Sequence, residues 1–403
     1  MSRRAPPPPL PEMQALVAAA RPDLGDDGAA ALAGALRAVT DWPLLRSLAY
    51  VHGLVPLLDR HLRAGPAADA APAPEREALA AQARLTAMRH VVLARALREI
   101  VQALDRDGVI ALAHKGPSLA ALLYRPPWLR VSGDLDFFVR PSDLDAARRA
   151  LVHLGFEPVT RVPRGWEAAF RRARCEFAFH RARDGIDVEL HWGLLPRYYA
   201  VPVDAEAFWI ERTSVDVDGV AVPALGPEDL LYTLALHGTS HLWIRLGWVT
   251  DVAVFLRRFE RIPPERLLAR AERAGALRFF LVGLELARRL LDAPLCPLFQ
   301  QALRHEPGSV RLAGELAARL LSGARGDPPL GERVRWLVRA HERGSGGARY
   351  LARLALEPNE EDWDFVALPP WMRWAYPPVK IARLLAARRR ARPASPAAGP
   401  NHD

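Results

Sequence analysis

The sequence predicts an α+β protein: a small mixed sheet with helices, set between N- and C-terminal helical regions. Two observations carry the prediction. Apolar residues recur at helical spacing on both sides of residues 106–224. Inside that window the apolar runs are short or alternating, and glycines or Asp184-Gly185 cut them, as in strands and hairpins. The 403-residue chain, 50% hydrophobic and 25% charged, has the make-up of a globular protein with room for more than one domain.

Taken in order, residues 1–10 are Pro-rich and are expected to form a disordered tail. Residues 11–105 read as a helical region. In it, short helices run from Glu12 to Arg63, Gly65 to Pro74 is an Ala/Pro/Gly linker, and Glu75 to Asp105 is one long helix stopped by Gly108. The long helix's apolar positions include Leu79, Ala83, Met88, Val91, Leu93, Leu97, Ile100 and Leu104. Residues 106–224 form the α/β core. Val109–Ala113 is a short buried strand broken by Lys115-Gly116, and Ser118 to Tyr124 is a short helix. Leu135 to Val139 is a second strand, and Leu144 to Leu154 a helix closed by Gly155. Phe156 to Val159 is a further strand, and Cys175–Phe179 pairs with Ile186–Trp192 around Asp184-Gly185. Pro227-Glu228-Asp229 opens a helical domain over residues 225–388, and residues 389–403 are a second expected tail. Its last helix, about Pro378 to Arg390, carries Ile381 and Leu385 with Arg383 and Arg388–Arg390. Such a helix can pack on the body or meet a membrane surface.

Chemistry concentrates around the second strand. Asp134 and Asp136 stand two residues apart, so period-2 geometry puts them on one face. Paired carboxylates repel unless a cation lies between them, which suits an oxygen-liganded ion such as Mg²⁺. Lys+Arg total 55, yet only Lys115 and Lys380 are lysines. A compact ammonium beside Gly116, at the mouth of a strand, suits phosphate. Farther on, Asp187 and Glu189 share a strand face with His191. His237 and His241 share a helix face at i and i+4 but lack the glutamate or further ligand that a zinc site needs.

Lys115-Gly116, a helix ending in Tyr124, and Arg130-x-x-x-Asp134-x-Asp136-Phe137-Phe138-Val139 resemble the uncharacterised bacterial nucleotidyltransferase family of the polymerase-beta-like superfamily. The resemblance implies a polymerase-beta-like core and a third acid on a later strand. The family's acid-Leu-His-Trp ending maps onto Glu189-Leu190-His191-Trp192, which favours Glu189 over Asp187. It further implies transfer of a nucleoside monophosphate from an NTP, ATP foremost, with pyrophosphate release. Asp134, Asp136 and Glu189 would hold two Mg²⁺ ions (Mn²⁺ being a substitute). Lys115, Gly116, Ser118, Arg130 and Ser132 would serve the nucleotide. His191, and the His237…His241-x-Trp243…Asp251 segment as a cleft wall, are secondary candidates. One departure is Pro117, which removes a backbone donor from the phosphate turn.

The net charge of +9 fits an anionic substrate. The arginines are interleaved with acids rather than massed in a groove, which weighs against nucleic acid and a tRNA-type nucleotidyltransferase. Two distant cysteines, Cys175 and Cys296, give neither metal spacing nor a disulfide framework. No apolar signal region or membrane span is expected, which points to the cytoplasm. A nucleotide-binding module without turnover is the alternative, with a regulatory or partner-binding role. The acceptor stays open among small molecule, peptide and protein.

Overall fold

The computed structural model describes residues 8–390 and builds an α+β architecture on a seven-stranded mixed sheet. Five helices precede the long one: α1 (Pro11–Ala19), α2 (Gly25–Arg37), α3 (Trp42–Val51), α4 (Val55–His61) and α5 (Pro66–Ala70). The long helix α6 is Ala73–Arg106. The core follows as β1 (Leu112–Ala113), α7 (Gly116–Leu123), β2 (Leu135–Phe138), α8 (Leu144–His153), β3 (Glu157–Pro158), α9 (Glu167–Ala173), β4 (Glu176–Arg181) and β5 (Ile186–His191). Then come α10 (Ala207–Ile210), β6 (Thr213–Val217) and β7 (Val220–Ala224). The remaining helices are α11 (Pro227–Ser240), α12 (Leu246–Arg258), α13 (Pro264–Ala274), α14 (Leu277–Leu291), α15 (Pro297–His305), α16 (Pro307–Leu321), α17 (Leu330–Ala340), α18 (Gly344–Leu356), α19 (Glu360–Phe365) and α20 (Tyr376–Arg390).

The sheet order is β3-β4-β5-β2-β1-β7-β6. β2 runs antiparallel to β1 and parallel to β5, with Asp136 opposite Glu189. Strand alternation sorts the side chains as expected. Leu135, Phe137, Val188 and Leu190 enter one apolar core with α6 and α8. Phe138 faces the other way, into a second core. That second core is shared by α1–α4 and α11–α16, so the helices before and after the sheet bury each other's apolar faces. At its centre Trp243 fills the space beside Gly238 and Gly283, where an added Cβ would stand 2.4 and 2.6 Å from the indole. Its Nε1–H donates to Thr239 Oγ1 at 2.9 Å.

Several details differ from the sequence reading. Part of the expected linker is helix α5. Met88 and Val91 of α6 are 65% and 63% exposed, because the helix passes from one core at Leu79 to the other at Leu93 and its middle bridges them. The β6–β7 hairpin turns at Asp218-Gly219 and was not anticipated. Of the expected tails at residues 1–10 and 389–403, residues 1–7 and 391–403 lie outside the described residues, while residues 389–390 belong to α20 instead. Leu10 is fixed, its N–H donating to Leu321 O at 2.9 Å. α20 docks through Tyr376, Lys380 and Arg383, the two cations meeting Asp362, while Ile381 and Leu385 stay exposed. Among the described residues no helix is long and apolar enough to cross a membrane.

Candidate active site

The site forms where β1 ends and β2 begins. Strand β1 delivers His114 and Lys115, and the His114 N–H donates to the Asp136 carbonyl at 3.0 Å. Lys115 then caps α7. Gly116 takes a φ of +63°. A Cβ there would lie 3.1 Å from the Asp134 carbonyl, so glycine is what lets α7 start against the β2 loop. Pro117 sits in the first turn, where a missing N–H costs the helix nothing. The Ser118 hydroxyl is buried and donates to Lys115 O at 2.8 Å, so it fastens the turn.

Asp136 is buried at 3% exposure, between two cationic groups. Lys115 Nζ lies 3.7 Å from Asp136 Oδ2, and His191 Nε2 lies 3.4 Å from Oδ1. Burial would raise Asp136, but Lys115 and His191 outweigh it and hold the carboxyl well below its usual range. Asp134 moves the other way. The charge of Asp136, then burial, pushes it up to about 6. Glu189 completes the acidic group. Potential ligand atoms of Asp136, Glu189 and His191 all lie within 4.8 Å of one another.

His191 sits among the acids, with Nε2 3.2 Å from Glu189 and Nδ1 3.2 Å from Glu176. Burial opposes its protonation, yet the hydrogen bonds to Asp136, Cys175, Glu176 and Glu189 raise it well above an ordinary histidine. Glu176 was missed in the sequence. Counting back from the Asp184-Gly185 turn pairs it with His191 and would have found it. Asp187 is not in this group: it is exposed, and its carboxylate meets His180 Nδ1 at 2.8 Å.

Helix α11 closes the other side. His237 Nδ1 accepts from Lys115 Nζ at 3.2 Å, so the ammonium is held between an imidazole and a carboxylate. Burial, and then Lys115, keep His237 neutral by lowering it well below its ordinary value. His237 and His241 lie 4.5 Å apart, and both rings meet Trp248 edge-on. Neither histidine joins a potential metal cluster among the described residues. Arg130 does not stand free for phosphate. Its guanidinium donates to both Asp251 oxygens at 2.9–3.1 Å and to Ser132 Oγ at 3.0 Å. Tyr124, a second residue not anticipated, donates its hydroxyl to Asp251 Oδ1 at 2.8 Å. Together they tie the loop before Asp134 to α12.

The fold thus brings an acidic group on adjacent parallel strands together with an ammonium at the start of a helix. The family expected from the motif is borne out: the chain belongs to the uncharacterised nucleotidyltransferases, whose family model matches residues 38–292, more than half of the sequence. No curated protein matches it. Among solved structures, an antigenic nucleotidyltransferase-like protein from Paracoccidioides brasiliensis is similar at 17% identity, with a TM-score of 0.31, over 58% of this chain and 94% of that one.

Proposed function

We propose that the chain transfers a nucleoside monophosphate from an NTP, ATP first, to an acceptor hydroxyl or other nucleophile. One observation carries this reading: Asp136 faces Glu189 across the parallel β2–β5 pair, with Asp134 beside it and Lys115 at the start of α7. Asp134, Asp136 and Glu189 would hold Mg²⁺ or Mn²⁺. The donor set fits, because the repulsion that pushes Asp134 up to about 6 is what a bound divalent cation relieves. When bound, the ion would neutralise charge on the triphosphate and acidify the acceptor. The Lys115 ammonium and the free Gly116 and Ser118 amides would grip the terminal phosphates. The acceptor oxygen then bonds to the α-phosphorus, the bond to the β-phosphate oxygen breaks, and pyrophosphate leaves. In this reading Arg130 and Ser132 shape the loop instead of touching phosphate.

The test is pyrophosphate release and label transfer from each α-labelled NTP with Mg²⁺, against fractions of a cell extract. The Asp134→Asn/Asp136→Asn variant is the control, and the labelled product names the acceptor. A second reading, nucleotide binding without turnover, draws on Lys115 and His191, which already neutralise Asp136. NTP binding with no transfer in any fraction would favour it.

A further inference from the structure

A cavity of about 670 Å³ opens between the N-terminal helices, α6, the loop at residues 129–133 and the start of α12. Two of its walls touch the site. The loop runs straight into Asp134, and the Trp248 ring meets His237, the ring that contacts Lys115, edge-on with centroids 5.2 Å apart. The volume suits a small molecule or the end of a larger one.

The lining has a definite chemical bias. Leu54, Leu57, Leu85 and Val131 give it an apolar side. Its one carboxylate, Asp251, is spent on Arg130 and Tyr124. Arg89 is spent on the Gly133, Asp184 and Gly185 carbonyls. Arg245 is different: it is exposed, lies over the Trp248 ring at 5.6 Å, and has no acidic partner among the described residues. His52 lines the cavity but is fully buried: its Nδ1 accepts the Leu246 N–H at 3.2 Å, and its Nε2 is shut off from the surface. Among the described residues the cavity thus offers a spare cation and no free carboxylate for an ammonium group.

We propose that this cavity is the acceptor site and that it selects an anionic hydroxyl compound with an apolar body, rejecting polycations such as amino sugars. The proposal rests on the nucleotidyl-transfer reading above. The nucleotide is assigned elsewhere because its phosphates have Lys115 and its uncharged base has no use for Arg245.

The experiment uses two probes with the same ring and hydroxyl, 4-hydroxyphenylacetate and its cationic counterpart tyramine. Binding to the full chain is titrated by calorimetry, with and without ATP and Mg²⁺. The expected result is about tenfold tighter binding of 4-hydroxyphenylacetate, as one charge-assisted contact gives. Arg245→Ala abolishes the preference, Arg245→Lys keeps most of it, and ATP with Mg²⁺ does not displace the probe. Equal binding of the two probes, no binding, indifference to Arg245→Ala, or displacement by ATP would each overturn the assignment. Because no turnover is needed, a chain that shows this preference but transfers no nucleotide would fail the reaction reading alone and leave an anion-selective pocket standing.

Discussion

Asp251→Ala should be among the most damaging single changes around the site, although Asp251, on α12, is not an acid of the strand site. The reason is Arg130. Its side chain is 10% exposed and that of Asp251 3%, and the two share contacts of 2.9–3.1 Å. Removing the carboxylate strands a buried guanidinium, which costs about 3–5 kcal/mol. Tyr124→Phe removes one hydrogen bond to the same charge and should cost about 1.5–3 kcal/mol. Arg130→Met with Asp251→Val removes both charges at roughly constant volume and leaves only the Tyr124 hydroxyl without its acceptor, so most of the lost stability should return. The assay is urea unfolding followed by circular dichroism, with midpoints compared at unchanged slope. Activity then separates brace from stability. Arg130 also donates to Ser132 Oγ, at 3.0 Å, and so shapes the loop before Asp134. The stable double variant should therefore still transfer nucleotide poorly. A loss under about 1 kcal/mol for Asp251→Ala, or a double variant no more stable than the single one, would refute the reasoning.

Glu189→Gln should lower label transfer by about a hundredfold or more, while Asp187→Asn stays within about twofold of the wild type, on the scale of lost transition-state electrostatics. Gly283→Ala should destabilise by about 1–3 kcal/mol in urea, because its Cβ would sit 2.6 Å from Trp243. Gly314→Ala, where the nearest atoms are an arginine tip at 3.8 Å, should stabilise slightly. His52 is lowered from 6.5 to about 4 by burial and then by Arg245 and Arg325, so it stays neutral when folded but takes a proton when unfolded. Its contribution is intact above pH 6.5 and lost as pH falls towards 4, about 3 kcal/mol in all. His52→Gln should flatten the stability profile across that window by the same amount.

The strand site was legible because it rests on local rules. Period 2 put Asp134 with Asp136 and Glu189 with His191, and the Asp184-Gly185 hairpin fixed β4 against β5. What could not be read was long-range. Nothing near Arg130 in sequence points to Asp251, 121 residues away. The apolar positions of α6, Met88 and Val91 among them, read alike in the sequence because helical spacing does not tell that two different cores claim its two ends. The β6–β7 pair went unseen although Asp218-Gly219 between alternating valines is a hairpin signal. The Ala/Pro/Gly stretch that became α5 shows the reverse: Pro66 is a sound first helical residue, and composition alone misled.

The two lysines show what their rarity meant. Each ammonium is nearly enclosed, with side-chain exposures of 12% for Lys115 and 14% for Lys380. Lys380 Nζ donates to the Leu354 and Glu357 carbonyls at 2.8 and 2.6 Å and lies 3.4 Å from Asp362. Among the described residues Lys115 Nζ meets only His237 and Asp136, at 3.2 and 3.7 Å. Both places need a point cation with donors radiating from one atom, which a planar guanidinium cannot supply. Rarity therefore marks a tight cationic site, and Lys380 shows that such a site can be purely structural. The difference lies in what is left over. The contacts of Lys380 use all three of its protons, so it locks α20 to α18 and α19. Lys115 has one short contact and one long one, beside acids that repel each other, so it keeps a proton and a charge for a ligand. That unspent valence, and not the scarcity of lysine, separates the phosphate-binding candidate from the strut.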